Sequence, residues 1–274
     1  MYSIGLRSFI TIIATSLVLS SVGENPSRPA IWGIAKMTFL VSDFSLARDY
    51  YGRFLGFEEA FSYQSDSSMV LSFKVSDRQF LEFIEDKEAP RKERLSSVSF
   101  ETDNTQKMED YLLSNNILIS KRVHIDGAGN KVLLVYDPSG VPVEFVEYGK
   151  QSLHMLSKGK YLPSTRIATR LHHVGLYSDN MDDEPEFYTK ILGCKRVLRV
   201  PEDPGEKPRI LYFRLPESAE MIEHYSTTDR NFNHPCFVTI DIQETLSLLR
   251  ERKKNGNTRE SFNRIGKKMV VELD

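Results

Sequence analysis

This 274-residue sequence has few cysteines and a small net charge, and each of these features excludes a class of protein. Only Cys194 and Cys236 are present, too few for a disulfide-dense scaffold or a cysteine-rich zinc site. The two thiols could pair in an oxidising compartment or remain free. The formal net charge of -2 creates no basic field, so nucleic acid is not expected as a partner. The sequence also lacks a phosphate-binding glycine loop and a nucleophile motif.

Long apolar runs are missing except at the N-terminus. The run Phe9 to Leu19 (FITIIATSLVL) follows a positively charged start and precedes small residues at 21–23, the pattern of a signal peptide over residues 1–23. It is too short for a comfortable membrane span, which needs about 20 residues. No cysteine follows it that could accept a lipid. We therefore expect an exported protein, periplasmic or secreted, with no stable membrane span after cleavage.

The chain is long enough for two ordinary cores, and it resembles itself at an offset of 137 residues. Residues 34–57 (IAKMTFLVSDFSLARDYYGRFLGF) lie over residues 171–194 (LHHVGLYSDNMDDEPEFYTKILGC). The shared positions include Tyr51 with Tyr188, Leu55 with Leu192 and Gly56 with Gly193. Such a match indicates a duplicated structural unit.

Each copy begins with a strand-like run, continues with helical spacing and ends in Leu-Gly, where glycine suits a left-handed helix cap. Short apolar runs typical of strands follow. The pattern restarts near residues 95–116 and, at the same offset, near 232–253. The sequence thus predicts four units in two domains, residues 32–149 and 169–274, joined by a linker over 150–168.

The opening phrase over residues 34–57 and the phrase DPSGVPVEF (residues 137–145) resemble the first and last motifs of a vicinal-oxygen-chelate domain. This family includes glyoxalases, bleomycin-resistance proteins and extradiol dioxygenases. The resemblance implies an α+β fold of tandem domains. Each domain would be a pair of β-α-β-β-β units that form a curved mixed sheet, with metal ligands on the first and last strands of each unit.

Carried onto the second half, the family's ligand positions are His173, Glu223, His234 and Glu272. Two imidazoles and two carboxylates suit a divalent ion, with Zn²⁺, Ni²⁺, Fe²⁺ and Mn²⁺ all admissible. Glu272 fits least well. The spacing between the last two ligand positions falls from 47 residues in the first half (144 minus 97) to 38 here (272 minus 234). The C-terminal unit is therefore expected to be short.

The same positions in the first half are Lys36, Glu82, Ser97 and Glu144. A charged lysine has no lone pair to donate and a serine hydroxyl is a poor ligand, so no metal site is expected there. Lys36 could instead form a buried ion pair with Glu82 or Glu144 in the vacated site.

The other histidines are expected outside both sites. His172 and His224 neighbour ligand positions, and strand alternation should turn them to the opposite face. His124 and His154 are interpreted as surface or loop residues. The units could pair within one domain or exchange between domains, and exchange would separate His173 from His234.

Three functions remain open for a protein that binds a small molecule. In the first, a lyase or isomerase, the metal chelates two neighbouring substrate oxygens while Glu223 or Glu272 acts as base. In the second, an extradiol-type dioxygenase, Fe²⁺ is held by His173, His234 and Glu272. The third is a non-catalytic binding protein of the bleomycin-resistance type, with a cup lined by Phe61, Tyr63, Phe73 and Phe83.

Overall fold

The computed structural model describes residues 26–273 except for six short gaps, at 66–67, 89–93, 183–184, 227–232, 254–259 and 266–267. From residue 254 onward only the backbone is described. The predicted signal peptide over residues 1–23 lies outside the described residues. Within the described part of the chain, no helix is long and apolar enough to cross a membrane.

The first half forms an eight-stranded mixed sheet. Its strands are β1 (Ile31–Val41), β2 (Glu58–Ser65), β3 (Ser68–Lys74), β4 (Phe80–Glu85), β5 (Leu95–Thr102), β6 (Ile119–Ile125), β7 (Lys131–Tyr136) and β8 (Pro142–Glu147). They lie in the order β2-β3-β4-β1-β5-β8-β7-β6. The antiparallel pair of β1 and β5 joins the two units. The units therefore pair within one half of the chain, and β6 is a strand that the sequence patterns did not predict.

The second half repeats the first unit in a five-stranded sheet. Its strands are β9 (Arg170–Tyr177), β10 (Lys195–Val200), β11 (Ile210–Arg214), β12 (Met221–Tyr225) and β13 (His234–Val238), in the order β10-β11-β12-β9-β13. Strands β14 (Glu260–Ile265) and β15 (Lys268–Leu273) form a separate two-stranded sheet. The last unit thus has two strands after its helix in the described residues, whereas the first half has three.

Six helical segments accompany the strands in the described part of the chain. The α-helices are α1 (Phe44–Ala47), α2 (Thr105–Ser114), α3 (Leu153–Leu156) and α4 (Ile242–Lys253), and π-helical stretches span Arg48–Phe54 and Glu186–Ile191. Asp43 caps α1 by accepting a hydrogen bond from the Ser45 amide. Gly56 and Gly193 follow the π-helical stretches with φ of 77° and 73°, values that favour glycine. The repeated Leu-Gly is therefore a helix-ending signal, as the sequence indicated.

One contiguous hydrophobic cluster includes buried residues of both halves. Phe57 and Phe237 pack across the halves with ring centroids 5.2 Å apart. The buried Tyr188 hydroxyl donates to Asp137 at 3.0 Å, which ties the second helix region to the closing motif of the first half. The α+β fold of two curved mixed sheets agrees with the tandem arrangement expected from the resemblance.

The counterpart of the metal site in the first half contains a buried ion cluster. Lys36 Nζ lies 3.3 Å from Glu82 Oε2 and 3.0 Å from Glu144 Oε1. Burial disfavours the Lys36 ammonium, yet Glu144 and Glu82 raise its pKa well above the ordinary value. Tyr63 donates a further hydrogen bond to Glu82. The predicted ion pair is confirmed, and Lys36 engages both carboxylates.

The linker fills this first cup, by which we mean the sheet face that carries Lys36, Glu82 and Glu144. His154 of α3 is buried, and its Nε2 lies 3.0 Å from Glu82 Oε1. Its ring contacts Phe61 and Phe80, with centroids 4.9 and 4.6 Å apart. The interpretation of His154 as a surface or loop residue is therefore wrong, because a tertiary contact draws it into the sheet.

The Lys74 ammonium fixes the end of the same helix. It is fully buried, donates to the Ser157 carbonyl and lies 2.9 Å from Asp77. A cation there suits the negative end of a helix. Phe73 and Phe83, which the sequence assigned to a ligand cup, belong instead to the large core cluster. The first cup is thus occupied by the chain's own linker.

Replacing Lys36 by Met should lower the free energy of unfolding by about 3–5 kcal/mol, because two carboxylates lose their buried counterion. Urea denaturation measures this change. The matched control is Lys131→Met, which removes a more exposed pair with Glu147 and should cost less than about 1 kcal/mol. Equal losses in the two variants would contradict a special role for Lys36.

Acid should weaken the same cluster. Burial raises the pKa of Glu82, but Lys36 and His154 outweigh it and lower the pKa to about 2. Because the folded pKa lies below that of an unfolded glutamate, the ionised carboxylate stabilises the fold above about pH 4.5. This stabilisation, roughly 3 kcal/mol, is lost as the pH falls toward 2. The stability difference between wild type and Glu82→Gln should shrink over that range in urea titrations; a constant difference would contradict the assignment.

Candidate metal site

Three adjacent strands of the second sheet converge on one point. Strand β9 lies between β12 and β13, and Gly175 on β9 pairs with Glu223 on one side and His234 on the other. His173 lies two residues before Gly175 and so shares its face of the strand. The register of these strands, which repeats that of Lys36, Glu82 and Ser97 in the first sheet, brings three predicted ligands together.

The donor atoms of these side chains are close enough to share one ion. His173 Nε2 lies 3.2 Å and His234 Nε2 3.5 Å from Glu223 Oε2. One donor atom from each residue falls within 4.8 Å of the others. Metal–ligand bonds near 2 Å place ligand atoms about 3–4 Å apart, so small side-chain movements suffice. Two imidazoles and one carboxylate are a set that divalent transition metals accept, with positions left open for substrate.

Glu223 carries the negative charge of the group. Its burial raises the pKa, but hydrogen bonds and charge from His173 and His234 lower it to about 2. The carboxylate is therefore ionised at neutral pH and available as an oxygen ligand. His173 and Glu223 side chains are 12% and 14% exposed, whereas His234 is 33% exposed. The group thus opens to solvent on the His234 side.

Tyr212 supports two of the three side chains. It lies opposite Glu223 on β11 and hydrogen-bonds to its carboxylate. Its ring meets His173 edge-on, with centroids 5.4 Å apart. Burial and the neighbouring Glu223 carboxylate raise the pKa of Tyr212 well above its ordinary value, so the phenol remains a donor. No sequence motif marks Tyr212, which is identified by its position opposite Glu223 on the neighbouring strand.

His172 departs from the expected alternation. Its Nδ1 lies 3.3 Å from His173 Nδ1, so its ring contacts a candidate ligand rather than pointing away from it. A partner on the second ring nitrogen orients an imidazole whose first nitrogen faces a metal. His224 does behave as predicted: it is buried beneath the sheet, against Tyr188 and Phe213.

Cys194 and Cys236 are not joined by a disulfide. Cys236 lies opposite His173 on β13, at the border of the site. Cys194 is buried on the helix side, and burial raises its pKa to about 12.

The side chain of Glu272 lies outside the described residues. Its backbone belongs to β15, where it pairs with Ser261 of β14. In the first half, Glu144 lies on β8 beside β5, whereas the described backbone of β15 pairs with β14 and not with β13. Glu272 therefore stays a predicted ligand and base, while the other three predicted ligands lie together.

The fold is similar to that of several solved enzymes. An extradiol ring-cleaving dioxygenase from B. fuscum matches with a TM-score of 0.63 and 18% identity over 84% of this chain. This chain spans 63% of that protein's length. A substrate complex of homoprotocatechuate 2,3-dioxygenase from Brevibacterium fuscum gives 0.62 and 17%, covering 84% of this chain and 70% of the other.

A Mn(II)-bound glyoxalase from Novosphingobium aromaticivorans is similar to the same degree. Its TM-score is 0.61 at 15% identity, with 85% of this chain and 78% of the glyoxalase covered. These likenesses establish the fold. No curated protein matches the sequence.

A family model matches the second half of the sequence. Residues 170–268 match the family described as the Glyoxalase/Bleomycin resistance protein/Dioxygenase superfamily, and this segment contains His173, Glu223 and His234. That match covers the second half alone, and the chain as a whole has the fold of the solved proteins named above.

Proposed function

We propose that the second domain is a divalent-metal-dependent enzyme of lyase or isomerase type that acts on a small substrate with two neighbouring oxygens. The single observation behind this proposal is the convergence of His173, Glu223 and His234 within 4.8 Å. A bound divalent ion would supply Lewis-acid polarisation of the substrate oxygens.

Different residues of the chain would bind the metal ion and transfer the proton. His173 and His234 would bind through Nε2, the nitrogens that already face Glu223. Glu223 would offer one ionised oxygen, with Tyr212 orienting the carboxylate. A carboxylate committed to an ion is a weaker base, so we assign proton transfer to Glu272, with the second oxygen of Glu223 as the alternative.

Extradiol-type dioxygenase chemistry with Fe²⁺ is the second candidate. The observation that favours it is the set of two histidines and one carboxylate, which suits non-haem iron, together with the likeness in fold to extradiol dioxygenases. The carboxylate that lies with the histidines is Glu223, whereas the sequence predicted Glu272 for this role. Oxygen uptake separates the two candidates. An Fe²⁺-loaded protein that consumes oxygen with catechols supports the dioxygenase, whereas metal-dependent turnover without oxygen uptake supports the lyase or isomerase.

Two further proposals concern the rest of the chain. The non-catalytic binding hypothesis has less support than the enzymatic ones, because Phe61 and Tyr63 in the first cup contact His154 of the linker.

Export to the periplasm or the medium rests on the pattern of residues 1–23 alone. A mass measurement of the mature N-terminus tests it.

Replacing His173 by Ala should abolish stoichiometric metal binding, because one of three converging donors is removed. The expected loss of affinity exceeds about 100-fold, since changes to residues beyond the ligands already cost 10–100-fold. Elemental analysis and calorimetric titration measure it. His124→Ala, a change at a half-buried histidine of β6 outside the site, is the matched control and should keep full metal content. Retention of metal by the His173 variant would rule out the site.

Comparing Glu223→Gln with Glu272→Gln should separate ligand from base. We expect the Glu223 variant to lose metal, because the amide is a weaker donor than the carboxylate that now lies between two histidines. The Glu272 variant should keep metal and lose turnover. Metal loss in the Glu272 variant alone would assign the ligand role to Glu272 and leave Glu223 as the base.

A further inference from the structure

We infer that Gly175 is a positioning residue of the metal site, because its missing side chain provides the space that His234 needs to reach Glu223. This inference rests on the proposed metal-dependent function and adds a residue that is itself no ligand. The constraint comes from the order of the strands.

His234 must reach across a whole strand. It lies on β13 and Glu223 on β12, with β9 between them. Neighbouring strands lie about 4.8 Å apart, so the backbones of β13 and β12 are separated by roughly 10 Å. Gly175 is the β9 residue that pairs with both. The imidazole of His234 therefore passes directly over Gly175.

The close approach leaves no room for a β-carbon. A Cβ added to Gly175 would lie 2.5 Å from His234 Nδ1 and closer still to two other ring atoms. Its three nearest neighbours would all belong to that ring. Real β-carbons keep at least about 3 Å from other heavy atoms. Any side chain at position 175 would thus displace the His234 ring.

Backbone conformation does not explain this glycine. Gly175 is not among the described glycines with positive φ, so alanine could adopt its φ without strain. Gly175 is buried in the interior of β9, where glycine otherwise weakens a strand. The cost that the structure indicates for a side chain at position 175 is therefore its clash with the ring of His234.

The first half provides an internal comparison. The counterpart of Gly175 is Thr38, which pairs with Glu82 and with Ser97, the counterpart of His234. No imidazole crosses the central strand at that point, and a threonine side chain fits there. Gly175 therefore pairs with His234 in the half that has the candidate site, and Thr38 pairs with Ser97 in the half that lacks it.

The test is Gly175→Ala, with Zn²⁺ or Mn²⁺ alone as the calorimetric probe. We expect at least a 10-fold loss of affinity, because one donor is moved off the site. Gly205→Ala is the matched control, since Gly205 also lacks a positive φ and lies in an exposed turn, and it should bind metal like the wild type. Unchanged affinity in Gly175→Ala would overturn the inference.

A double-mutant cycle excludes a purely structural effect. Gly175→Ala should lower the melting temperature of the metal-free protein when His234 is present. In a His234→Ala background, where the ring is gone, the same change should be neutral or slightly stabilising. Equal destabilisation in both backgrounds would mean that the glycine serves the strand rather than the histidine.

Imidazole ¹⁵N NMR of the metal-free protein separates this inference from the proposed function. The His234 signals, identified by their loss in His234→Ala, should shift in Gly175→Ala while those of His124 stay. Failure of the wild type to bind metal would overturn the proposed function, and the NMR comparison would still decide the role of Gly175. Unshifted His234 signals would refute that role.

Discussion

A buried carboxylate at the same place in each half of the chain requires a compensating positive group. The two halves differ in the group that provides this positive charge. Glu82 and Glu223 occupy equivalent positions beside the central strand of their sheets. An unpaired charge there would be costly to bury. The two halves meet the same requirement with different chemistry.

The first half uses a covalently attached cation. Lys36 places an ammonium between Glu82 and Glu144, and His154 from the linker completes the hydrogen bonding. All of these groups belong to the chain, so the cluster forms on folding. The linker is thereby held against the first sheet.

The second half leaves the compensation open. His173 and His234 approach Glu223 with nitrogens that can bind a proton or a metal ion. The positive charge beside Glu223 can therefore come from a proton or from a metal ion, whereas the positive charge beside Glu82 comes from Lys36, which is part of the chain. The difference between a structural cluster and a candidate catalytic site therefore reduces to a few side chains on two matching frameworks.

Part of the arrangement of the two sites could be predicted from the internal repeat. The match of Lys36 with His173 and of Ser97 with His234 followed from the offset of 137, because a constant offset preserves strand alternation and therefore the face of each side chain. Glu82 and Glu223 are 141 residues apart, and the strand register shows their equivalence. The strand β6 could not be found in this way. It is a mostly exposed edge strand rich in charged residues, so it has little of the apolar pattern used to recognise strands.

The sequence by itself determined the duplication, the two-sheet fold and the candidate ligands, because these depend on periodicity and on local residue type. Only the tertiary structure decided that units pair within each half, that His154 is buried in the first cup, that Tyr212 supports Glu223 and that Gly175 lies beneath His234. Each of these facts is a contact between strands or segments distant in sequence. Such contacts are set by packing and register, which no single stretch of residues encodes.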